Sequence, residues 1–161
     1  WTWFDCCRGR ERPRAMTECF VADASALATL GHRLAGVLKP GDVVGLEGPL
    51  GAGKTTLVRA LLDALGHPGP VRSPTYTLVE TYELERLVVH HLDLYRIADP
   101  EELELIGIRD LAAGDALWLV EWPERGGDRL PECNHVIRIE YADSGRLVHG
   151  LPSPVQCPEI I

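Results

Sequence analysis

Gly48-Pro-Leu-Gly-Ala-Gly-Lys54-Thr55-Thr56 matches the pattern G-x-x-x-x-G-K-[ST] at every fixed position. The residues before it, Asp42-Val-Val-Gly-Leu-Glu47, read as a short buried strand. The residues after it place Leu57, Val58, Leu61, Leu62 and Leu65 at helical spacing. Strand, glycine loop and helix in that order make an α/β fold the expectation, with the loop at the end of a strand. Glycines let successive backbone N–H groups point inward at an anion, and the helix N-terminus adds about half a positive charge. The expected nucleotide contacts are Gly48, Leu50, Gly51, Ala52, Gly53, Lys54, Thr55 and Thr56. Lys54 is expected to reach the β- and γ-phosphates of ATP, and the Thr55 hydroxyl to ligate Mg²⁺. The bland reading, a glycine-rich turn with a lysine after it, is disfavoured: at ordinary glycine usage a match arises by chance in about 1% of chains this long.

A chain of 161 residues, 45% of them hydrophobic, holds one domain with a packed core. No apolar run approaches the 18 residues of a membrane-spanning helix. The net charge of -8 argues against broad electrostatic binding of a polyanion, so any service to RNA is expected to run through a partner. Residues 1–15 differ from the rest. Arg8, Arg10, Arg12 and Arg14 outweigh Asp5 and Glu11, and Met16 is the only methionine. They are read as a non-native or disordered extension ahead of a start at Met16, with a basic RNA-binding arm as the alternative. Residues 16–150 then form the single domain and 151–161 a C-terminal tail. The five cysteines are odd in number and contain no C-x-x-C pair. A reduced, cytoplasmic chain is the expectation.

Two acids are candidates to complete the site. Asp93 follows Leu87-Val-Val-His-His-Leu92, and Glu121 follows Ala116-Leu-Trp-Leu-Val120. Each ends an apolar strand, where open α/β sheets place their chemistry. A carboxylate there holds the metal or orients water; the competing reading is a strand-end acid satisfied by a backbone N–H. Glu121 follows the more uniformly apolar strand and is expected to be the better fixed and drier. Ser73-Pro-Thr-Tyr-Thr77 lies where P-loop proteins often carry a switch sensing the γ-phosphate, and equally fits an ordinary Ser-Pro turn. Elsewhere, Glu18–Val21 reads as a strand, Asp23 as the N-cap of a helix through Leu38, and Pro100–Leu105 and 110–114 as helical turns. Val136–Tyr141 and Arg146–His149 read as the arms of a C-terminal hairpin.

Taken together, Gly48–Thr56, Ser73-Pro-Thr-Tyr-Thr-Leu-Val79, His91-Leu-Asp-Leu-Tyr-Arg96, Asp99-Pro-Glu-Glu-Leu-Glu-Leu-Ile-Gly107 and Val120-Glu-Trp-Pro-Glu124 resemble one family in order and spacing. It is the TsaE (YjeE) family of bacterial P-loop ATPases, and the likeness runs from about Met16 to His149. The resemblance implies a P-loop NTPase fold, with a central, largely parallel sheet flanked by helices and antiparallel strands at its edges. It implies a slow, Mg²⁺-dependent ATPase in threonylcarbamoyladenosine (t6A) modification of tRNA. Such a subunit works with the TsaB–TsaD pair, which performs the transfer, and meets tRNA only through that complex. Carried onto this sequence, Thr55, Glu121 and Asp93 serve Mg²⁺, while Asp93, Glu121 and Thr75 are catalytic, Thr75 as part of the switch. Trp122 lies beside the nucleotide, and Ala24, Gly145 and Arg146 lie near the base. Residues 1–15 and Leu151–Ile161 have no counterpart in the resemblance.

Two rival functions remain open from the residues. A small-molecule P-loop kinase would carry an arginine-bearing lid; Arg125 and Arg129 instead sit in a Gly/Pro-rich stretch without helical periodicity. A GTP switch would carry Asn-Lys-x-Asp, which is absent, Lys39 and Lys54 being the only lysines.

Overall fold

The apolar run ending at Glu121 is buried along its whole length as a strand, Leu117–Glu121, as a strand covered on both faces must be. The computed structural model describes residues 18–158; the extension expected over 1–15 lies outside them. In chain order the elements are β1 (Cys19–Val21), α1 (Ala24–Ala35), β2 (Val43–Glu47), α2 (Lys54–Ala64), β3 (Val79–Glu83), β4 (Val88–Asp93), α3 (Glu102–Leu105), α4 (Ile108–Leu111), β5 (Leu117–Glu121), β6 (His135–Ala142) and β7 (Gly145–His149). The described strands form one sheet in the order β1-β7-β6-β2-β5-β4-β3. Its middle, β6-β2-β5-β4, is parallel. Antiparallel pairs close both edges, β3 on β4 and the β6–β7 hairpin with β1. The expected α/β architecture is therefore the observed one.

Each face of the sheet has its own core. Leu27, Leu30 and Leu34 of α1 and Leu57, Val58, Leu61 and Leu62 of α2 pack on Val44, Leu46, Val89, Leu117, Leu119, Ile137 and Ile139. On the other face Leu103 of α3 and Ile108 of α4 pack on Val43, Leu92, Leu94, Trp118 and Val120. The period of two along a strand divides the residues: Val89, His91 and Asp93 share a face with Leu117, Leu119 and Glu121, while His90 and Leu92 turn the other way. Helix α1 starts where expected, Asp23 Oδ1 accepting the Ala26 N–H at 2.8 Å, a cap typically worth about 1 kcal/mol. The second helical turn begins at Ile108, two residues before its expected start, because buried Ile108 anchors it to the sheet.

One finding departs from the sequence reading of the cysteines. Cys19 and Cys157 form a disulfide, so the chain is not uniformly reduced. The segment after β7 folds back over α1 and β1: Val155 is buried in the first core, and Arg33 Nη1 donates to the carbonyls of Gln156 and Cys157, each at 2.9 Å. That return brings together two cysteines 138 residues apart, a pairing that spacing cannot disclose. Among the described residues no helix is long and apolar enough to cross a membrane.

Candidate functional site

The strand order sets the site before any side chain is considered. Strands β2, β5 and β4 lie side by side and parallel, with Leu46 opposite Glu121 and Glu121 opposite Asp93. Their carboxyl ends open together where α2 begins, the position at which open α/β sheets bind ligands. The loop from Gly48 to Gly53 needs glycine for stated reasons. Gly48 has φ +131°, and a Cβ there would collide with the carbonyl oxygen of Ile139. Gly53 has φ +114°, and a Cβ there would stand 2.5 Å from Leu27 Cδ2. Without side chains the loop backbone can wrap closely around a bound group.

Lys54 and Thr55 open α2. Lys54 is 4% exposed; its ammonium donates to the carbonyls of Gly48 and Pro49, at 2.7 and 2.9 Å, and lies 4.1 Å from the Trp122 ring centroid. Burial pushes the Lys54 pKa below the ordinary lysine value, and the charges of Glu121, Asp93 and Glu124 act in the opposite direction without overcoming it. The Thr55 hydroxyl donates to Glu121 Oε1 at 2.8 Å. Its one proton committed, the hydroxyl keeps its remaining lone pairs for a cation.

The two strand-end acids stand on the α2 face as neighbours. Asp93 Oδ2 accepts from Ser73 at 2.9 Å and from Thr75 at 2.8 Å; Oδ1 accepts the Tyr95 N–H at 3.1 Å. The hydroxyls of Ser73 and Thr75 are 2.7 Å apart. Glu121 Oε1 accepts from Thr55 and lies 3.0 Å from His91 Nε2, within hydrogen-bond distance. The expectation about Glu121 is met in part: it is the drier acid by a small margin, 3% against 5% exposed for Asp93, but Asp93 accepts the more hydrogen bonds and is the better fixed. The segment Ser73–Thr77 closes over the β4 end and supplies two of the three donors to Asp93, which a strand pattern does not disclose.

Among the described residues two non-glycine residues have positive φ, Leu78 at 65° and Trp122 at 60°. They flank the site. Leu78 ends the Ser73–Thr77 turn, with its N–H on Pro74 O at 2.7 Å and its carbonyl on the Asp93 N–H at 3.1 Å. Trp122 turns the chain out of β5 and lays its ring between Lys54 and Tyr95. Such backbone costs about 1–2 kcal/mol per residue and persists where the surroundings impose it.

Leu50, Gly51, Gly53, Lys54, Thr55, Thr56, Ser73, Thr75, Asp93, Tyr95, Glu121 and Trp122 line a cleft of about 300 Å³. A second cavity of about 140 Å³ adjoins it, lined by Ala22, Asp23, Ala24, Leu27, Gly51, Ala52, Gly53, Thr56 and Arg146. Arg146 is held there by donation to Ala52 O at 3.1 Å and Gly145 O at 2.9 Å. Gly145 is buried against β1, behind this wall. The structure thus brings the expected residues into two joined cavities, except Gly48 and Gly145, which line neither and support the walls. Sequence reasoning missed His91 and Tyr95 as contributors, and from the Ser73–Thr77 segment it named Thr75 alone as a site residue, where Ser73 also donates to Asp93. His91 reads as a strand residue like His90, and only the alternation of the strand, once its faces are assigned, separates them. Among the described residues no group of three or more His, Cys, Asp or Glu side chains could hold a metal by itself.

The family model described as "Threonylcarbamoyl adenosine biosynthesis protein TsaE" matches residues 21–148. The chain belongs to the TsaE family. It is 45% identical over 132 residues to the tRNA threonylcarbamoyladenosine biosynthesis protein TsaE of Haemophilus influenzae, covering 79% of this chain and 84% of that one. The protein of the same name from Aquifex aeolicus is 40% identical over 119 residues, 73% of this chain and 81% of its own. Among solved structures, Bacillus subtilis YdiB superimposes with a TM-score of 0.70 at 26% identity, covering 88% of this chain and 89% of that one. The matched region contains both cavities and every residue named in them.

Proposed function

We propose that this TsaE-family protein binds ATP with Mg²⁺ and hydrolyses it in support of tRNA t6A formation, acting beside the TsaB–TsaD pair rather than transferring the threonylcarbamoyl group itself. One observation carries the reading: the Thr55 hydroxyl donates its proton to Glu121 at 2.8 Å, with Asp93 beside it in register, all at the mouth of the Gly48–Gly53 loop. A hydroxyl so committed, next to two buried carboxylates, fits a hard divalent cation that takes few protein ligands and is completed by phosphates and water. Bound there, Mg²⁺ would neutralise charge on the phosphate oxygens. Thr55 and Glu121 would hold it, with Asp93 in support. Lys54 offers its ammonium to the phosphates, and the loop N–H groups with the α2 N-terminus offer partial positive charge. Asp93 is oriented by three donors and retains acceptor capacity at Oδ1 for a water proton. Thr75 links the Ser73–Thr77 turn to Asp93 and so ties that turn to the state of the site. The smaller cavity at Ala24 and Arg146 takes the base.

The kinase alternative gains no lid from Arg125 and Arg129. Arg125 lies in a short 3-10 turn and donates to the carbonyl of Tyr95, and Arg129 pairs with Glu101. The test has two parts. Equilibrium binding of ATP and GTP, with and without Mg²⁺, should show Mg²⁺-assisted preference for ATP. Reconstituted t6A formation with TsaB and TsaD should stop after limited turnover when this protein is omitted. Absence of ATP binding, or full modification without the protein, would remove the proposal.

A further inference from the structure

His91 lies in the middle of β4 and is completely buried, on the α2 face of the sheet. On that face Val89 and Leu119 beside it are apolar and belong to the first core, while Asp93 and its β3 partner Glu80 are acidic. A hydrophobic residue would fill the same space without a polar atom to satisfy. The imidazole instead points Nε2 at Glu121 Oε1, 3.0 Å away. Its other nitrogen, Nδ1, is buried without a hydrogen-bond partner among the described residues.

Those two facts select a tautomer. A neutral imidazole has one N–H. With the proton on Nδ1, a buried donor would be orphaned, and the Nε2 lone pair would face a carboxylate oxygen at hydrogen-bond distance. With the proton on Nε2, the ring donates to Glu121 and leaves only a bare acceptor at Nδ1. Glu121 Oε1 then receives two donors from different elements, Thr55 of α2 and His91 of β4. Two directions at one oxygen fix the carboxylate plane, and among the described residues no side chain donates to Oε2. Thr55 alone would leave the carboxylate free to rotate about that contact.

We propose that His91 is the positioning residue of this site: its Nε2–H holds Glu121 with one oxygen on Thr55 and the other turned to the cleft. The magnesium part of this role rests on the function proposed above. Hydrogen-bonded supports of metal-linked carboxylates typically govern metal affinity or activity by 10- to 100-fold.

The test uses the full chain in two arms. Long-range ¹H–¹⁵N spectra identify the His91 ring through its loss in His91→Gln. The expected pattern is the Nε2–H tautomer, with or without nucleotide; the Nδ1–H pattern would overturn the proposal. In the second arm His91→Leu removes the donor and His91→Gln returns an N–H near the Nε2 position. His91→Leu should raise the Mg²⁺ concentration for half-maximal ATP hydrolysis about 10-fold and lower kcat ~10- to 100-fold. ATP affinity without Mg²⁺ should stay within about 2-fold. His91→Gln should recover most of both losses. A residue that only filled space would lower Tm without moving the Mg²⁺ dependence, and would show no selective recovery by Gln; either result overturns the proposal. If His91→Leu does not fold, the tautomer and the Mg²⁺ dependence of His91→Gln still decide it. Wild-type protein lacking Mg²⁺-dependent hydrolysis would overturn the proposed function and with it the magnesium role of His91. Wild-type hydrolysis matched by His91→Leu would overturn the His91 role alone.

Discussion

Lys54 is the residue at which stability and function are expected to separate most clearly. Replacing it by Met keeps the length of the side chain and removes the charge. Two hydrogen bonds from the ammonium to Gly48 O and Pro49 O disappear, each worth about 1.5–3 kcal/mol when the donor is charged. The contact with the Trp122 ring at 4.1 Å goes too, at about 0.5–2 kcal/mol. Against these losses, an ion 4% exposed is no longer taken from water, which relieves a cost of several kcal/mol. The terms nearly cancel, so Lys54→Met should lie within ~2 kcal/mol of wild type, or within about 8 °C in Tm for a domain of this size. Binding has no such compensation. Losing a buried charge that faces phosphate costs about 2–5 kcal/mol, hence ATP affinity lower by about 30- to 5,000-fold. The pH dependence has a definite sign. Burial places the folded-state Lys54 pKa below its ordinary value of 10.5. Between those two values the unfolded chain holds a proton that the folded chain has released, so wild type gains stability as pH rises through that window. Lys54→Met lacks this gain, and its Tm relative to wild type should fall as the pH becomes alkaline. Thermal unfolding at neutral and alkaline pH, with calorimetric titration of Mg-ATP, measures all three quantities. Unchanged ATP affinity in a folded Lys54→Met protein would refute the assignment of the cleft, and a Tm loss beyond about 15 °C would refute the cancellation.

Glu121→Gln and Asp93→Asn should each stay folded, since the amide oxygen still accepts, and each should lower hydrolysis by ~10²-fold or more; a double variant hardly worse than either single one would mark a joint unit, whereas multiplied losses would mark independent roles. Gly48→Ala should lower Tm by about 6–12 °C, because a left-handed backbone and a collision with the Ile139 carbonyl together cost about 3 kcal/mol; a Tm equal to wild type would mean that the loop relaxes freely. Reduction of the Cys19–Cys157 disulfide should lower Tm by about 4–16 °C, corresponding to ~2–4 kcal/mol for a long closed loop, and should leave the Tm of Cys157→Ser unchanged; equal responses of both proteins to reductant would refute a stabilising bridge.

The features legible in the residues alone are local. The glycine loop, its flanking strand and helix, the Asp23 cap and the hairpin are written in neighbouring residues, because turn chemistry and burial periodicity act over a few positions. The two strand-end acids were legible for the same reason, each closing an apolar run. Their partnership was not. Asp93 and Glu121 meet because β4 and β5, distant in sequence, pair in parallel with the two acids in register. His91 owes its place on Glu121 to the face that β4 presents to α2; one residue of register would have exchanged it with His90. Ser73 and Thr75 reach Asp93 only because Leu78, at positive φ, turns their segment back over the strand end. The tail and its disulfide likewise depend on a return of the chain across α1 and β1. Contacts of this kind join residues tens of positions apart, and their free energy belongs to the packed arrangement rather than to any stretch of sequence.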